Sequence, residues 1–206
     1  MPKHYTDAQV REQQAKFEAW LRETLVKKPE LMERFRGRVY EDGSTLTVGK
    51  KTYTIRLTEK ENAKYHTAKI QGDTITVTIS TKDKGHHLQK SIRQLISRCV
   101  GNDRLPDIAG RVQFWNDRHF NKPINKVSFK LNQSNWGSCS TRRNINFSTR
   151  LLFAPDDVID YVIVHELAHL IEANHSPAFW KVVSDVMPDY KEKEEWLRVH
   201  DKECDF

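Results

Sequence analysis

The spacing of apolar positions changes several times along the chain, and each change predicts a new element. Residues 7–26 place apolar side chains at helical spacing among charged ones, which predicts an amphipathic helix. Over residues 37–80 apolar and polar residues alternate, as in strands with one solvated face. We expect a meander of three or four antiparallel strands, with hairpin turns at Asp42-Gly43 and Gly72-Asp73.

The middle of the chain returns to helical spacing and then to short strands. One apolar stripe runs over residues 88–99, and a second begins after Pro106, so the pattern predicts two helices. Two strand-like runs follow, at residues 127–131 and 144–148, on either side of a polar segment.

The segment after Pro155 is apolar on nearly every face, and such a helix is buried. Its polar residues away from the start are Asp160, His165, Glu166 and His169. Burying polar groups is costly unless each finds a partner, so these residues need a common explanation.

A metal site supplies that explanation. His165 and His169 are four residues apart, so their side chains leave a helix on the same face and can bind one ion. Glu166 follows the first histidine directly, where it can serve as a general base toward a metal-bound water. A catalytic zinc takes three protein ligands and a water, so one ligand remains to be assigned.

The best candidate for the third ligand is His175. We expect the helix to end near Ala173-Asn174 and a new one to begin at Ser176-Pro177, which leaves His175 in the turn between them. Asp160 and Glu172 are alternatives, either as the ligand or as a partner of one. Glu172 also replaces the glycine of the metzincin motif H-E-x-x-H-x-x-G-x-x-H, which argues against a metzincin turn.

With its flanking residues, this region closely resembles the YgjP-like metallopeptidase domain, which is related to the SprT-like and WLM zinc proteases. The resemblance spans about residues 53–199 and is carried by W-G-S-C-S (136–140), N-I-N-F (144–147), H-E-L-A-H (165–169), N-H-S (174–176) and F-W (179–180). It implies a compact gluzincin-like α+β fold with an antiparallel or mixed β-sheet and a buried active-site helix. It also implies zinc on His165, His169 and His175, with Glu166 as the general base. The N-terminal helical arm is predicted from its helical spacing alone, and its role stays open.

Length and composition agree with this outline. The 206 residues suit one metallopeptidase domain, residues 37–206, preceded by a helical arm, residues 1–36. The chain contains no apolar run of 18 residues and no apolar leader, so we expect no membrane partner and a cytoplasmic location. Three widely spaced cysteines, Cys99, Cys139 and Cys204, indicate a reducing compartment.

We therefore expect a zinc-dependent metallopeptidase that cleaves unfolded or extended polypeptide. The net charge of +6 leaves nucleic acid or phosphate-bearing partners open. One alternative is a metal-dependent hydrolase of nucleotides or other phosphoanhydrides, although no glycine-rich phosphate loop is visible in the sequence. Another is a DNA-associated SprT-like protease, whose DNA binding should depend steeply on salt.

Several residues around the motif have candidate or alternative roles. Asn135, Tyr190 and His200 are candidates for a donor to the oxyanion of the transition state. The strand at residues 144–148 either forms the rim on which an extended peptide adds or is an ordinary strand of the sheet. Cys139 either packs as a small residue or approaches the metal, and packing is the favoured interpretation.

Overall fold

The computed structural model describes residues 7–27, 38–61, 63–81 and 86–206. The chain divides into two units, residues 1–37 and 38–206. In the first unit the described part is one helix, α1 (Asp7–Lys27), as its helical spacing predicts. The predicted boundary between residues 36 and 37 lies outside the described residues.

The second unit opens with a four-stranded sheet whose topology differs from the predicted meander. Its strands are β1 (Thr45–Val48), β2 (Lys51–Lys60), β3 (Thr67–Gln71) and β4 (Thr74–Ser80), in the spatial order β1-β2-β4-β3. Two antiparallel hairpins are joined by a parallel pair, β2 with β4. The meander prediction is therefore wrong, because alternation indicates which face of a strand is buried but not which strand lies next to it.

The turns of this sheet are partly as predicted. Gly72-Asp73 joins β3 to β4, and Gly72 has a φ of +59°, a conformation that glycine adopts without strain. Asp42-Gly43 forms a turn before β1 and does not join two strands. The hairpin turn between β1 and β2 is instead Gly49-Lys50, since Val48 pairs directly with Lys51.

A single long helix, α2 (His86–Trp115), replaces the two helices predicted around Pro106. Proline removes one main-chain hydrogen bond and usually ends or kinks a helix. Here both sides of Pro106 bury apolar residues in the same core, with Ile96 before it and Ile108 and Val112 after it. We infer that this shared burial offsets the lost hydrogen bond.

A second, three-stranded sheet follows. Its strands are β5 (Lys126–Lys130), β6 (Gly137–Cys139) and β7 (Asn144–Ser148). β7 lies in the middle, parallel to β5 and antiparallel to β6, so β6 is an edge strand. A short 3-10 helix, Thr149–Phe153, leads from β7 toward the remaining helices.

Three helices complete the fold: α3 (Asp156–Ala168), α4 (Pro177–Val186) and α5 (Tyr190–His200). Nine of the thirteen residues of α3 are buried, which confirms the predicted buried helix. The predicted end of α3 near residues 173–174 is wrong. The helix ends at Ala168, and the chain then continues in tight turns. The α+β class and the mixed sheet are confirmed. No helix among the described residues has the length and apolar character needed to cross a membrane.

Candidate metal centre

Helix α3 and the turn before α4 bring three histidines together. His165 lies in the last turn of α3, and His169 is the residue that caps it. His175 directly precedes Ser176, whose hydroxyl accepts the Phe179 N–H and so begins α4. One ring nitrogen of each histidine lies within 4.8 Å of those of the other two.

This spacing fits a single metal ion. The Nε2 atoms of His165 and His175 are 3.0 Å apart. Two nitrogens bound to one tetrahedral zinc, each at about 2.0–2.1 Å, lie roughly 3.3 Å apart. His165 and His175 are therefore already near the spacing of two ligands of one ion, and the His169 ring nitrogen lies within 4.8 Å of both.

The surroundings keep His165 and His169 in the neutral form that a metal requires. Burial lowers the pKa of His165 to about 3, and the proximity of His169 and His175 contributes to the shift. Burial also lowers the pKa of His169. The Nδ1 atom of His169 lies 3.1 Å from the Glu172 carbonyl oxygen, and a hydrogen bond from Nδ1–H to this oxygen leaves Nε2 available for a metal.

Glu166 is buried beside the histidines, with 4% of its surface exposed. Burial raises the pKa of its carboxyl to about 8. Its Oε2 atom has no hydrogen-bond partner among the described residues. Buried polar atoms nearly always have a partner. A water on an ion held by the neighbouring histidines would supply one, so the site fits the metal that the sequence predicts.

Gly137, the first residue of β6, makes room for this carboxylate. A Cβ atom at position 137 would lie 2.7 Å from Cγ and 2.8 Å from Cδ of Glu166. Such distances are well inside van der Waals contact, so any larger residue would displace the carboxyl group. The sequence singled out Gly137 only as part of the W-G-S-C-S segment, because the contact depends on how β6 packs against α3.

The histidines and Glu166 open on a cleft of about 640 Å³. β6 and Trp136 line one side, and Leu197 and Arg198 of α5 line another. Tyr161 also lines the cleft, and the sequence analysis missed it. Its position four residues before His165, on the same face of α3, was a signal that could have identified it.

Comparison with known proteins identifies the family. The family model described as "YgjP-like, metallopeptidase domain" matches residues 1–200. The chain belongs to the YgjP-like metallopeptidase family. This confirms the resemblance found in the sequence, and the match extends to residue 1. Family membership implies a metal cofactor and a polypeptide substrate.

Two solved structures are similar to this YgjP-like chain. The metallopeptidase zymogen of Pyrococcus abyssi abylysin is 24% identical, with 45% of this chain and 92% of that chain covered and a TM-score of 0.42. The zymogen of Methanocaldococcus jannaschii jannalysin is 20% identical, with 44% and 92% covered and a TM-score of 0.39. No curated protein matches the chain.

The strand predicted as a possible rim of the cleft, residues 144–148, is not an edge strand in this YgjP-like domain. β7 (residues 144–148) lies between β5 and β6, so both of its edges are already paired. Its alternative interpretation, as an ordinary strand of the sheet, is correct. The strand that borders the cleft is β6, whose second edge is not paired with a strand of this sheet.

The pairing of β6 with β7 determines which main-chain groups point outward. The Trp136 carbonyl accepts a hydrogen bond from the β7 side at 2.7 Å, and the Ser140 N–H donates one at 3.0 Å. Antiparallel ladders alternate, so the N–H and C=O groups of Gly137 and Cys139 point away from β7. The side-chain amide of Asn135 donates to the Gly137 carbonyl at 3.3 Å.

A buried arginine supports the Trp136 wall. Arg150 is 4% exposed, and its guanidinium lies 4.9 Å from the centre of the Trp136 ring. It donates to the carbonyl oxygens of Gln133 and Cys204, at 3.1 and 2.7 Å, and to the carboxylate of Asp201 at 2.9 Å. These bonds connect the segment before β6 to the segment after α5.

The alternative ligands lie elsewhere. Asp160 accepts a hydrogen bond from Arg111 at 2.9 Å and is not part of the histidine cluster. Glu172 contributes its main-chain carbonyl to His169, so it is a partner of a histidine through its backbone only. Cys139 lines the cleft but is not in the cluster of possible ligands found among the described residues, which contains only histidines.

Of the three candidate oxyanion donors, Asn135 lines the cleft and the other two do not. The ring of Tyr190 is stacked on Trp180, with 5.3 Å between centroids. The Nδ1 atom of His200 lies 2.8 Å from a carboxylate oxygen of Glu203.

The buried Glu166 predicts a pH-dependent stability of the metal-free protein. Its raised pKa means that the folded state holds the proton more tightly, so the associated stability is present at acidic pH and lost as the pH rises from about 4.5 to about 8. Between pH 5 and pH 9 this loss is about 4 kcal/mol. We expect Glu166→Gln to gain that much over wild type across this interval, measured by denaturant unfolding with a chelator present. Equal differences at the two pH values would contradict the expectation.

Proposed function

We propose that this chain is a zinc-dependent metallopeptidase in which His165, His169 and His175 hold the ion and Glu166 is the general base. The observation that carries the proposal is the meeting of three imidazoles from α3 and the following turn beside the buried carboxyl group of Glu166. Three histidines with a fourth position left for water form a donor set that suits a catalytic zinc.

The residues around the ion would then have separate roles in the reaction. Zinc, when bound, supplies a Lewis acid and lowers the pKa of a water bound to it. Glu166 takes the proton from the attacking water through Oε2, which has no other partner among the described residues, and delivers it to the leaving amine. Gly137 supports this step by leaving space for the carboxyl group.

An extended polypeptide would bind along β6. The outward N–H groups of Gly137 and Cys139 and the carbonyl of Cys139 can pair with a substrate main chain, as in other cases where a peptide adds a strand to a sheet edge. The Gly137 carbonyl already accepts a hydrogen bond from the Asn135 side chain. Asn135, which lines the cleft just before β6 begins, is our candidate for the donor to the oxyanion. Burial raises the pKa of Cys139 to about 11, with a further contribution from Glu166, so its thiol stays neutral and packs in the wall.

Three finer predictions remain beside this proposal. The cytoplasmic location stays a prediction, in keeping with three cysteines that are all unpaired. The nucleotide-hydrolase and DNA-associated SprT-like alternatives also stay predictions. Nucleotide turnover that is lost in Glu166→Gln would favour the first, and a steep salt dependence of DNA binding would favour the second.

The proposal is tested by metal content. We expect the purified wild-type protein to bind about one zinc per chain. We expect His175→Ala to bind it more than about 100-fold more weakly, since even loss of a partner to a ligand costs 10–100-fold. Zinc affinity is measured by competition with a chelator, alongside cleavage of an unfolded polypeptide.

His119→Ala is the matched control. Like His175, which is exposed and stacked on Trp180, His119 is exposed and stacked on a tryptophan, Trp115, with 5.5 Å between ring centroids. This variant should bind zinc as wild type does. If His175→Ala holds zinc as tightly as His119→Ala, the proposed ligand set is wrong.

A further inference from the structure

His175 lies at one end of a stack of aromatic rings. Its ring is 5.8 Å from that of Trp180, with 26° between the planes. Trp180 is stacked on Tyr190 at 5.3 Å and 19°, and Tyr190 faces Tyr161 at 6.4 Å and 24°. The stack therefore connects the turn before α4 to both α5 and α3.

The stack ends on a second histidine of the cluster. Tyr161 is 4% exposed, and its ring meets the ring of His165 edge-on at 6.0 Å. The Nε2 atoms of His165 and His175 are 3.0 Å apart, so the aromatic residues close a cycle that begins and ends at the candidate metal position.

His175 depends on this stack more than the other two histidines do. His165 is fixed by α3, and His169 has the Glu172 carbonyl as partner. The ring of His175 is exposed, and among the described residues its only hydrogen bond is to Nε2 of His165, through the atom that would bind a metal. Metal-binding histidines ordinarily have a hydrogen-bond partner for the second ring nitrogen.

Two aromatic rings of α4 contact His175, and they have different roles. Phe179 contacts all three histidines and is fully buried, so it forms the floor of the site and part of the core. Trp180 is half-buried, and its face is parallel to the imidazole. A flat ring held in this way limits the orientations of the histidine before any ion binds.

We propose that Trp180, braced by Tyr190, is a positioning residue that holds His175 ready to complete the metal site. This inference rests on the proposed function. A side chain that is already ordered loses less freedom on binding, so the stack raises the affinity for zinc without touching the ion. Trp180 thus takes the place of the hydrogen-bond partner that His175 does not have.

The test compares Trp180→Leu with Trp196→Leu. Trp196 is also half-buried and stacked on a histidine, His200, at 4.5 Å and 22°, but that histidine is not part of the cluster. We expect Trp180→Leu to weaken zinc binding about 10- to 100-fold, as loss of a partner to a ligand does. Trp196→Leu should bind zinc as wild type does, and Trp180→Phe, which keeps a flat ring, should restore most of the affinity.

Zinc affinity and release rate are measured with a chelator, and unfolding of the metal-free proteins is measured in parallel. Equal zinc affinity of Trp180→Leu and Trp196→Leu overturns the inference while leaving the site intact. If Trp180→Leu fails to fold, the test passes to Trp180→Phe and Tyr190→Leu. The inference about Trp180 is overturned if Tyr190→Leu binds zinc as tightly as wild type. It is also overturned if a folded Trp180→Phe does not bind zinc. If wild type binds no zinc, or His175→Ala binds it normally, the proposed function itself fails.

Discussion

Glu166→Gln is expected to reduce peptide hydrolysis about a thousandfold while leaving zinc binding unchanged. A positioned general base contributes about 10²- to 10⁴-fold to the rate, and glutamine cannot accept the proton. The substitution keeps the size of a side chain that is 4% exposed and packed against Gly137. The loss should therefore appear in kcat, with KM and metal content close to those of wild type.

The matched control is Glu192→Gln, which neutralises an exposed carboxylate in the first turn of α5. It should cleave an unfolded polypeptide as fast as wild type. Comparable rates for Glu166→Gln and Glu192→Gln would remove Glu166 from the mechanism, whatever the metal content of the two proteins.

Gly137→Ala is expected to reduce activity about a hundredfold, because a misplacement of the catalytic group by about 1 Å can cost that much. The added methyl group would lie 2.7 Å from Cγ of Glu166, so the buried carboxyl must move. Overpacking of this kind also destabilises a fold by about 1–3 kcal/mol. Zinc content should be unchanged, since no histidine of the cluster meets the new methyl group among its nearest neighbours.

Gly110→Ala provides the comparison for this glycine. Gly110 lies within α2, and a Cβ atom there would meet nothing within 4 Å. Alanine in a helix interior is favoured over glycine by roughly 0.5–1 kcal/mol, so this variant should be slightly more stable and fully active. A Gly137→Ala protein with the same activity as Gly110→Ala would show that the carboxyl group tolerates displacement.

Local sequence spacing predicted the features that depend on a few neighbouring residues. The four-residue interval between His165 and His169 determines their common face on a helix, and Ser176-Pro177 marks the start of α4. These two local signals were enough to predict that His175 lies in the turn between the helices. That His165, His169 and His175 are metal ligands remains a proposal.

Features that depend on distant pairing were not predicted. The parallel pair β2–β4 and the central position of β7 arise from contacts between strands far apart in the sequence, which a period of two does not encode. The contact of Gly137 with Glu166 joins residues 29 positions apart. The continuation of α2 through Pro106 likewise depends on the core against which both of its halves pack.

If substrate pairs with the short edge strand β6, as proposed, this strand also determines how readily a folded protein could be cleaved. Its outward main-chain groups can pair only with a segment whose own N–H and C=O groups are free, and in a folded domain most such groups are already bonded. A folded protein would have to open locally before it could enter the cleft, and such openings have their own free energies. Its cleavage rate should therefore follow the equilibrium population of opened segments more closely than the identity of the residues at the cut.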